Sequence, residues 1–574
     1  MFEIQVNNRV IDAKPGDTIL KALNRADLNI PTLCHIEGLI PTGSCRICSV
    51  EVEGMRGLVP SCSYPVQEGM KITTNSPKVV RARKTIIELL LSNHPDDCLY
   101  CVRNGKCTLQ KLAQEYGVRE RRFIGKSKTT YHVDSTSPSI VRDQSKCILC
   151  GKCIRVCEEI QKISAIDFVG RGSNTIVAPA FEQGLNISSC INCGQCIMVC
   201  PTGALKEQSY IKQVLDALSD PKKIVVVQHA PAVSVTLAEE FGVKPGLDIN
   251  GLMVVALRRM GFNYVFDTSF SADLTIMEEA SELIHRIQNG GKLPMLTSCS
   301  PGWIKYAEQF YPDMLGNIST CKSPQQMLGA IIKSYFAQKE GIDPKDIYTV
   351  SVMPCIAKKF EAARPEMAHD KTPDIDAVIS TRELARLIKM FGIEFDPSSY
   401  GVADSPLGTR SSAGKLFGGS GGVMEAALRT TYHMLTGKEL KSLQIKDVRG
   451  LDNIKTTSVT IGDLKLGFAV VNGIGNAAKL LDEIKNGRDD IHFIEIMTCP
   501  GGCIGGGGQP LDTNPEKIKA RLKSLYAIDR KDTLRTSHNN KAVQELYNKF
   551  LGKPLSKKSH QLLHTHYSKK DVLR

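Results

Sequence analysis

The chain has 574 residues, 42% of them hydrophobic, which is enough for several domains with cores of their own. No apolar run approaches the roughly 18 residues that span a bilayer, and the opening MFEIQVNNRVIDAKPGD alternates like a strand, so no membrane span and a cytoplasmic location are expected. The formal charge of +13 counts all twenty cysteines as neutral; metal-bound thiolates would offset much of it, and no nucleic-acid partner is expected.

Fifteen cysteines lie before residue 201 and five after it, and where thiols are kept reduced such grouping points to metal and not to disulfides. Residues 1–78 open with FEIQV and VID flanking Asn7-Asn8 as a hairpin. TILKALNRADL then has helical spacing behind Asp17, a candidate N-cap. Cys34, Cys45, Cys48 and Cys62 follow as C-x10-C-x2-C-x13-C, which suits a 2Fe-2S cluster on a β-grasp ferredoxin domain, with structural zinc as the alternative. Residues 79–118 hold His94, Cys98, Cys101 and Cys107 in HPDDCLYCVRNGKC. Spacing alone fits a Cys3His zinc site about as readily as a cluster; clusters expected on both sides favour 4Fe-4S. RERRFIGKSK (119–128) reads as a solvated basic face or a site for an acidic protein.

Residues 138–208 carry CILCGKCIRVC and CINCGQCIMVCP, each C-x2-C-x2-C-x3-C, the two-cluster ferredoxin run in which the fourth cysteine serves the other cluster. Cys147, Cys150, Cys153 and Cys200 are therefore expected on one 4Fe-4S cube, and Cys190, Cys193, Cys196 and Cys157 on the other. With one histidine, the fifteen cysteines make ligands for four clusters with none left over. Such a series serves to conduct single electrons.

From 222 to 512 apolar strand segments (KKIVVVQHAP, YVFDTSF, DIYTVSVMPC, DAVIS, KLGFAVVNG, IHFIEIMTCP) alternate with helical segments (TIMEEASELIHRIQN, STRELARLIKMFG, GVMEAALRTTYHML). An α/β domain with its site at the strand ends is expected. Cys299, Cys355 and Cys499 each follow a strand, and Cys503 follows in MTCPGGCIGGGGQP, whose glycines would allow close backbone approach to a bulky inorganic group. GGSGGVMEAALR runs a glycine loop into a helix start without the GK[ST] of a phosphate loop. Glu279 and Glu282 share a helix face, which by spacing alone is a solvated face paired with Arg286. His560, His564 and His566 read as an exposed helix end.

TSCSPGW, VMPCIAKKFEA and IEIMTCPGGCIGGGGQP resemble the three signature segments of the iron-only (FeFe) hydrogenases. The resemblance spans the chain: the four-cluster front matches the long clostridial-type members, and 513–574 resembles their small-subunit extension. It implies reversible 2H⁺ + 2e⁻ ⇌ H₂ at an H-cluster, a 4Fe-4S cube joined by a thiolate to a di-iron unit with CO, cyanide and an azadithiolate. It places Cys355 and Cys499 on the cube, Cys503 between cube and di-iron unit, Lys358 at a cyanide, and Met353, Met497, Ala230 and Pro231 around the pocket. It also implies a proton path from Cys299 through Glu279, Ser319 and Glu282 to Arg286 at the surface. The common pattern has two adjacent cysteines, proton carrier then cube ligand; here they are Cys299 and Ser300. Either Cys299 keeps the proton role or it ligates the cube. Intact motifs elsewhere favour the first, with Cys321 a spare thiol. The implied partners are ferredoxin or flavin- and NAD(P)-binding iron–sulfur subunits, as in a bifurcating complex. A non-catalytic iron–sulfur electron-transfer subunit and a hydrogen sensor are the alternatives, opposed by VMPC with TCPGGC and by the lack of an appended sensory segment.

Overall fold

A computed structural model describes residues 1–125, 133–461 and 464–572; the last part of the basic stretch 119–128 and the end of the 513–574 segment lie outside the described residues. The first unit is a five-stranded sheet around Phe2–Val6, which pairs antiparallel with Arg9–Ala13 (Ile4 opposite Ile11) and parallel with Lys71–Thr73. Asn7 and Asn8 take positive φ at the hairpin tip, a conformation asparagine tolerates better than most residues. Ile4, Val6, Ile19, Val50 and Ile72 form its core. The helix Ile19–Arg25 is capped by Thr18, whose hydroxyl accepts from Lys21 N at 3.3 Å, and not by Asp17. Asp17 is instead taken up by Arg25 and by the Lys14 N–H.

The helix Pro77–Ser92 starts on Ser76 with proline in its first turn and packs on Thr108–Glu115 through Leu33, Ile47, Ile87, Leu109 and Leu112. In the third unit the two cysteine runs fold alike. Leu149 and Gly151 in one, and Asn192 and Gly194 in the other, take positive φ immediately before the short helices Lys152–Arg155 and Gln195–Val199. Alternating αR and αL residues turn successive N–H groups into one concavity, the backbone form that suits an anionic cluster.

The large unit has two four-stranded sheets. One runs Tyr264–Asp267, Ile224–His229, Ile347–Met353, Ala377–Ser380, all parallel. The other runs Met295–Leu296, Phe493–Met497, Leu464–Asn472 and the antiparallel edge Ile454–Ile461. The helix Thr268–Gln288 begins on Asp267, well before the start its periodicity suggests, and is buried along most of its length. Cys299, Cys355 and Cys499 all lie just past strand ends, so the two sheets deliver them to one place. The apolar core continues from Ile191 and Ile197 of the two-run unit into Trp303, Ile356 and Ile494, so the conducting front is packed against the large unit.

The C-terminal segment wraps this body. Asp529 of the helix Pro515–Lys531 is fully buried and receives Arg429, Arg449, Arg535 and the Ser412 hydroxyl at 2.7–3.0 Å. Among the described residues no helix is long and apolar enough to cross a membrane.

Candidate functional site

One cavity lies where the strand ends meet, with about 780 Å³ of atom-free space. Its wall holds Cys299, Ser300, Cys355, Cys499 and Cys503, together with Lys358. The expected Ala230, Pro231, Met353 and Met497 line it too, and Gln325, Phe417 and Thr498 join them unforeseen. Burial raises the pKa of Cys355, Cys499 and Cys503, and Cys355 lies close enough to raise Cys499 and Cys503 further. Free cysteines with soft sulfur donors converging on a buried void are the donor set that iron–sulfur chemistry uses, and in that sense the residues fit the inorganic group the sequence implies.

Cys299 and Ser300 both line this cavity but have different neighbours. The Ser300 hydroxyl lies 2.7 Å from Thr498 Oγ1, beside Cys499. Cys299 feels Glu279 as its foremost charged neighbour, and burial first and then that charge push its thiol well above the usual value. Lys358 Nζ donates to the Cys299 carbonyl at 3.1 Å and to Glu361 at 2.9 Å, so the ammonium is pinned at the cavity wall.

Gly502 and Gly506 line the cavity as their sequence suggests, and the glycines serve a second purpose as well. Gly502 (φ 87°) and Gly507 would place a Cβ 2.6 Å from Ser420 N and 2.3 Å from Cys193 O. They let separate stretches of protein backbone meet. The GGSGG loop does present a helix N-terminus to an anion, but that anion is the Glu495 carboxylate, which accepts from Gly421 N and Met424 N at 2.7 Å each.

Glu279 and Glu282 are buried, at 1% and 7% exposure, so the solvated-face alternative fails. Neither Glu279 oxygen takes a hydrogen bond of good geometry, although the Ser298 N–H and Ser319 hydroxyl are near enough to oppose its shift. Burial, then the Glu282 charge, raise its pKa to about 8. Ser319 Oγ donates to Glu282 Oε2 at 2.9 Å, and Arg286 clasps Oε1 at 2.6 Å. Arg286 is itself 9% exposed and donates to the carbonyls of Lys292, Gly316, Asn317 and Ile318, so it sits beneath the surface and not on it. Cys321 is buried away from the cavity, 4.0 Å from Glu282 Oε2. His560 and His566 are exposed as expected, but His564 is buried against Glu278 and Thr320, a contact no local pattern signals.

The front cysteines gather in the sets their spacing suggests. Cys34, Cys45, Cys48 and Cys62 lie within hydrogen-bonding reach of one another. Cys147, Cys150, Cys153 and Cys200 line one cavity, and Cys157, Cys190, Cys193 and Cys196 another. Cys98, Cys101 and Cys107 lie close enough to interact electrostatically. Cys101 Sγ abuts Gly203 of the neighbouring unit, and Cys193 lies against Gly507 and within electrostatic reach of Cys499. The sets thus step from the first units to the main cavity.

The family description "iron only hydrogenase large subunit, C-terminal domain" matches residues 223–507, and "iron hydrogenase small subunit" matches 515–570. Ahead of them, a 2Fe-2S cluster-binding domain matches 1–77, the iron–sulfur binding region of NADH-ubiquinone oxidoreductase-G matches 83–122, and a 4Fe-4S dicluster domain matches 146–204. The NADP-reducing hydrogenase subunit HndD of Solidesulfovibrio fructosivorans is 50% identical over all of both chains. Iron hydrogenase 1 of Clostridium pasteurianum is 43% identical over 99% of this chain and 100% of its own. Among solved structures, the apo [FeFe]-hydrogenase HydA1 of Chlamydomonas reinhardtii matches with a TM-score of 0.58 and 44% identity, covering 64% of this chain and 100% of that one.

Proposed function

The chain belongs to the iron-only hydrogenase family, and from that premise we propose how its own residues divide the work of reversible hydrogen turnover. It is an FeFe-hydrogenase with 2Fe-2S and 4Fe-4S domains ahead of an H-cluster domain; an electron-transfer subunit without catalysis is not favoured. When bound, the H-cluster supplies the di-iron chemistry that interconverts two protons and two electrons with H₂.

In this reading Cys355, Cys499 and Cys503 hold that group, with Ser300 at the fourth position of the cube. The observation that supports the assignment is the difference in neighbours: the Ser300 hydroxyl meets Thr498 Oγ1 beside Cys499, while Glu279 is the foremost charge acting on Cys299. Cys299 Sγ holds the proton nearest the chemistry. Glu279 takes the next position, and its pKa of about 8 lets it exchange protons near neutral pH without staying ionised. Ser319 and Glu282 extend the path, and Arg286 holds Glu282 in position. Lys358 holds a positive charge at the cavity wall, and Met353, Met497 and Phe417 keep water out.

One 2Fe-2S and three accessory 4Fe-4S clusters are assigned to the sixteen ligands Cys34, Cys45, Cys48, Cys62, His94, Cys98, Cys101, Cys107, Cys147, Cys150, Cys153, Cys157, Cys190, Cys193, Cys196 and Cys200. The set with Cys193 makes the last step to the cavity. The domain limits follow at 1–78, 79–118, 138–208, 222–512 and 513–574. The likeness to HndD and to the NADH-oxidoreductase iron–sulfur region supports a cytoplasmic, multisubunit NAD(P)-linked assembly, with ferredoxin as a further electron partner. Purification from the native source, followed by H₂ oxidation assays with NADP⁺, NAD⁺ or ferredoxin, tests this. A lone chain reducing none of them contradicts the partner assignment.

A further inference from the structure

Glu282 carries a second hydrogen-bonded arm that the path to Arg286 does not use. Thr320 Oγ1 lies 3.3 Å from Glu282 Oε2 and 2.8 Å from His564 Nδ1, and His564 Nε2 lies 3.1 Å from Glu278 Oε2. The hydroxyl therefore stands between an imidazole and the carboxylate of the path, able to donate to one while accepting from the other. Main chain fixes this register, because Lys322 N donates to Leu563 O and Thr565 N donates to Thr320 O, both at 2.7 Å. His564 is buried, but the ring of exposed His560, one helical turn back, lies 4.2 Å from its ring, centroid to centroid.

We propose that His560, His564 and Thr320 form a second proton inlet, running from solvent through the C-terminal segment to Glu282 in parallel with the approach past Arg286. The inference rests on the reading that Glu282, Ser319 and Glu279 feed Cys299. In the step, the imidazolium of His564 gives its Nδ1 proton to Thr320 Oγ1 while that hydroxyl gives its own proton to Glu282 Oε2. One N–H and one O–H bond break, two O–H bonds form, and neutral His564 keeps its Nε2 proton on Glu278. Rotation of the neighbouring rings then lets the imidazolium of His560 recharge His564. The net result is one proton moved from solvent to Glu282, with no electron transferred.

The groups around His564 suit the role. Glu278 and Glu282 face it from the helix Thr268–Gln288, and Cys321 lies beside it across an isolated β-bridge. His560 and His566 come from its own segment, and Arg286 holds Glu282 opposite it. Tyr547 and Ser559 occupy the other Glu278 oxygen, at 2.6 and 2.5 Å, which leaves Nε2 the remaining partner of that carboxylate's Oε2 together with Leu555 N.

A purely structural clasp between His564 and Glu278 would explain the same contacts, so the test must separate carrying a proton from holding a shape. Cofactor-loaded full chain is assayed for H₂ evolution with a reduced viologen from pH 6 to 8, as parent, Thr320→Val, His564→Gln, Arg286→Met, and the pairs joining Arg286→Met to each of the others. Two parallel inlets predict Thr320→Val and His564→Gln alone slowed less than about 5-fold, and each pair slowed well over about 10-fold beyond Arg286→Met alone, with unchanged iron content and infrared bands. The loss should be greatest at the high end of the range, where protons are scarce. Pairs no slower than Arg286→Met alone overturn the proposal. Should His564→Gln lose iron or fail to fold, His560→Gln on the Arg286→Met background decides, since His560 is exposed and must slow turnover further if the inlet exists. Glu279→Gln serves as the control: if it is slow while the pairs are not, only the second inlet is wrong, and if it is as fast as the parent the underlying path is wrong.

Discussion

Glu279→Gln should slow hydrogen turnover while making the protein more stable, and the two effects have one cause. The carboxyl is fully buried, and its pKa is raised from 4.5 to about 8. The folded chain thus holds a proton that the unfolded chain releases above pH 4.5. Stability linked to this group is complete below that value and is lost as pH rises towards about 8, at roughly 1.4 kcal/mol per pH unit. The total loss is at most about 5 kcal/mol, an upper bound because a buried site relaxes when it ionises. Glutamine keeps the shape and cannot ionise, and neither Glu279 oxygen has a hydrogen bond of good geometry to lose. The variant should therefore melt later than the parent at pH 8, with the gap closing towards pH 4.5. Turnover should fall about 10²- to 10⁴-fold, the usual contribution of a positioned proton acceptor. Melting curves across pH, run beside H₂ evolution and oxidation at matched iron content, check both. Unchanged turnover, or a variant less stable at pH 8 than at pH 5 relative to the parent, would refute the reasoning.

His94→Cys should retain its iron and shift the paramagnetic signal of one cluster, because a thiolate in place of imidazole adds negative charge; stoichiometric zinc in the 94–107 segment contradicts this. Asp529→Asn should destabilise the chain by up to about 3–5 kcal/mol, since it takes the carboxylate from Arg535 and leaves Arg429 and Arg449 with Glu425 as their one remaining buried anion. Those arginines and hydrogen bonds hold the Asp529 carboxyl well below its ordinary range against the opposing effect of burial. Its stabilisation is therefore present above the usual carboxylate pKa and fades as pH falls through the lower folded value. In thermal unfolding, the gap between parent and Asp529→Asn should accordingly narrow at acid pH.

What the sequence made legible was local. The two cysteine runs fix their crossed sets because each loop builds its own concavity from neighbouring residues such as Gly151 and Gly194. Strand ends announced Cys299, Cys355 and Cys499 because apolar runs stop there. Burial set by distant chain was not legible. Glu279 and Glu282 with Arg286 have the spacing of any solvated helical face, and only the packing of the Thr268–Gln288 helix against the sheets and the C-terminal segment buries them. His564 meets Glu278 across 286 residues, so its helix-end position gave no hint of the contact. Asp17 and Thr18 are both competent caps, and Asp17 was drawn off by Arg25. The Gly502 and Gly507 requirements come from Ser420 and Cys193, which adjoin them only in the fold.

The division of labour between Cys299 and the three cavity thiols is the central claim, and hydrogen-isotope exchange in D₂O tests it without any external electron carrier. Loaded parent and Cys299→Ala are placed under H₂ in D₂O, HD formation is followed, and the infrared bands of CO and cyanide are recorded on the same samples. If Cys299 carries the proton while Cys355, Cys499 and Cys503 hold the inorganic group, Cys299→Ala keeps the bands and loses HD formation. Bands lost together with HD would make Cys299 a ligand, and HD formed at the parent rate would remove it from the path.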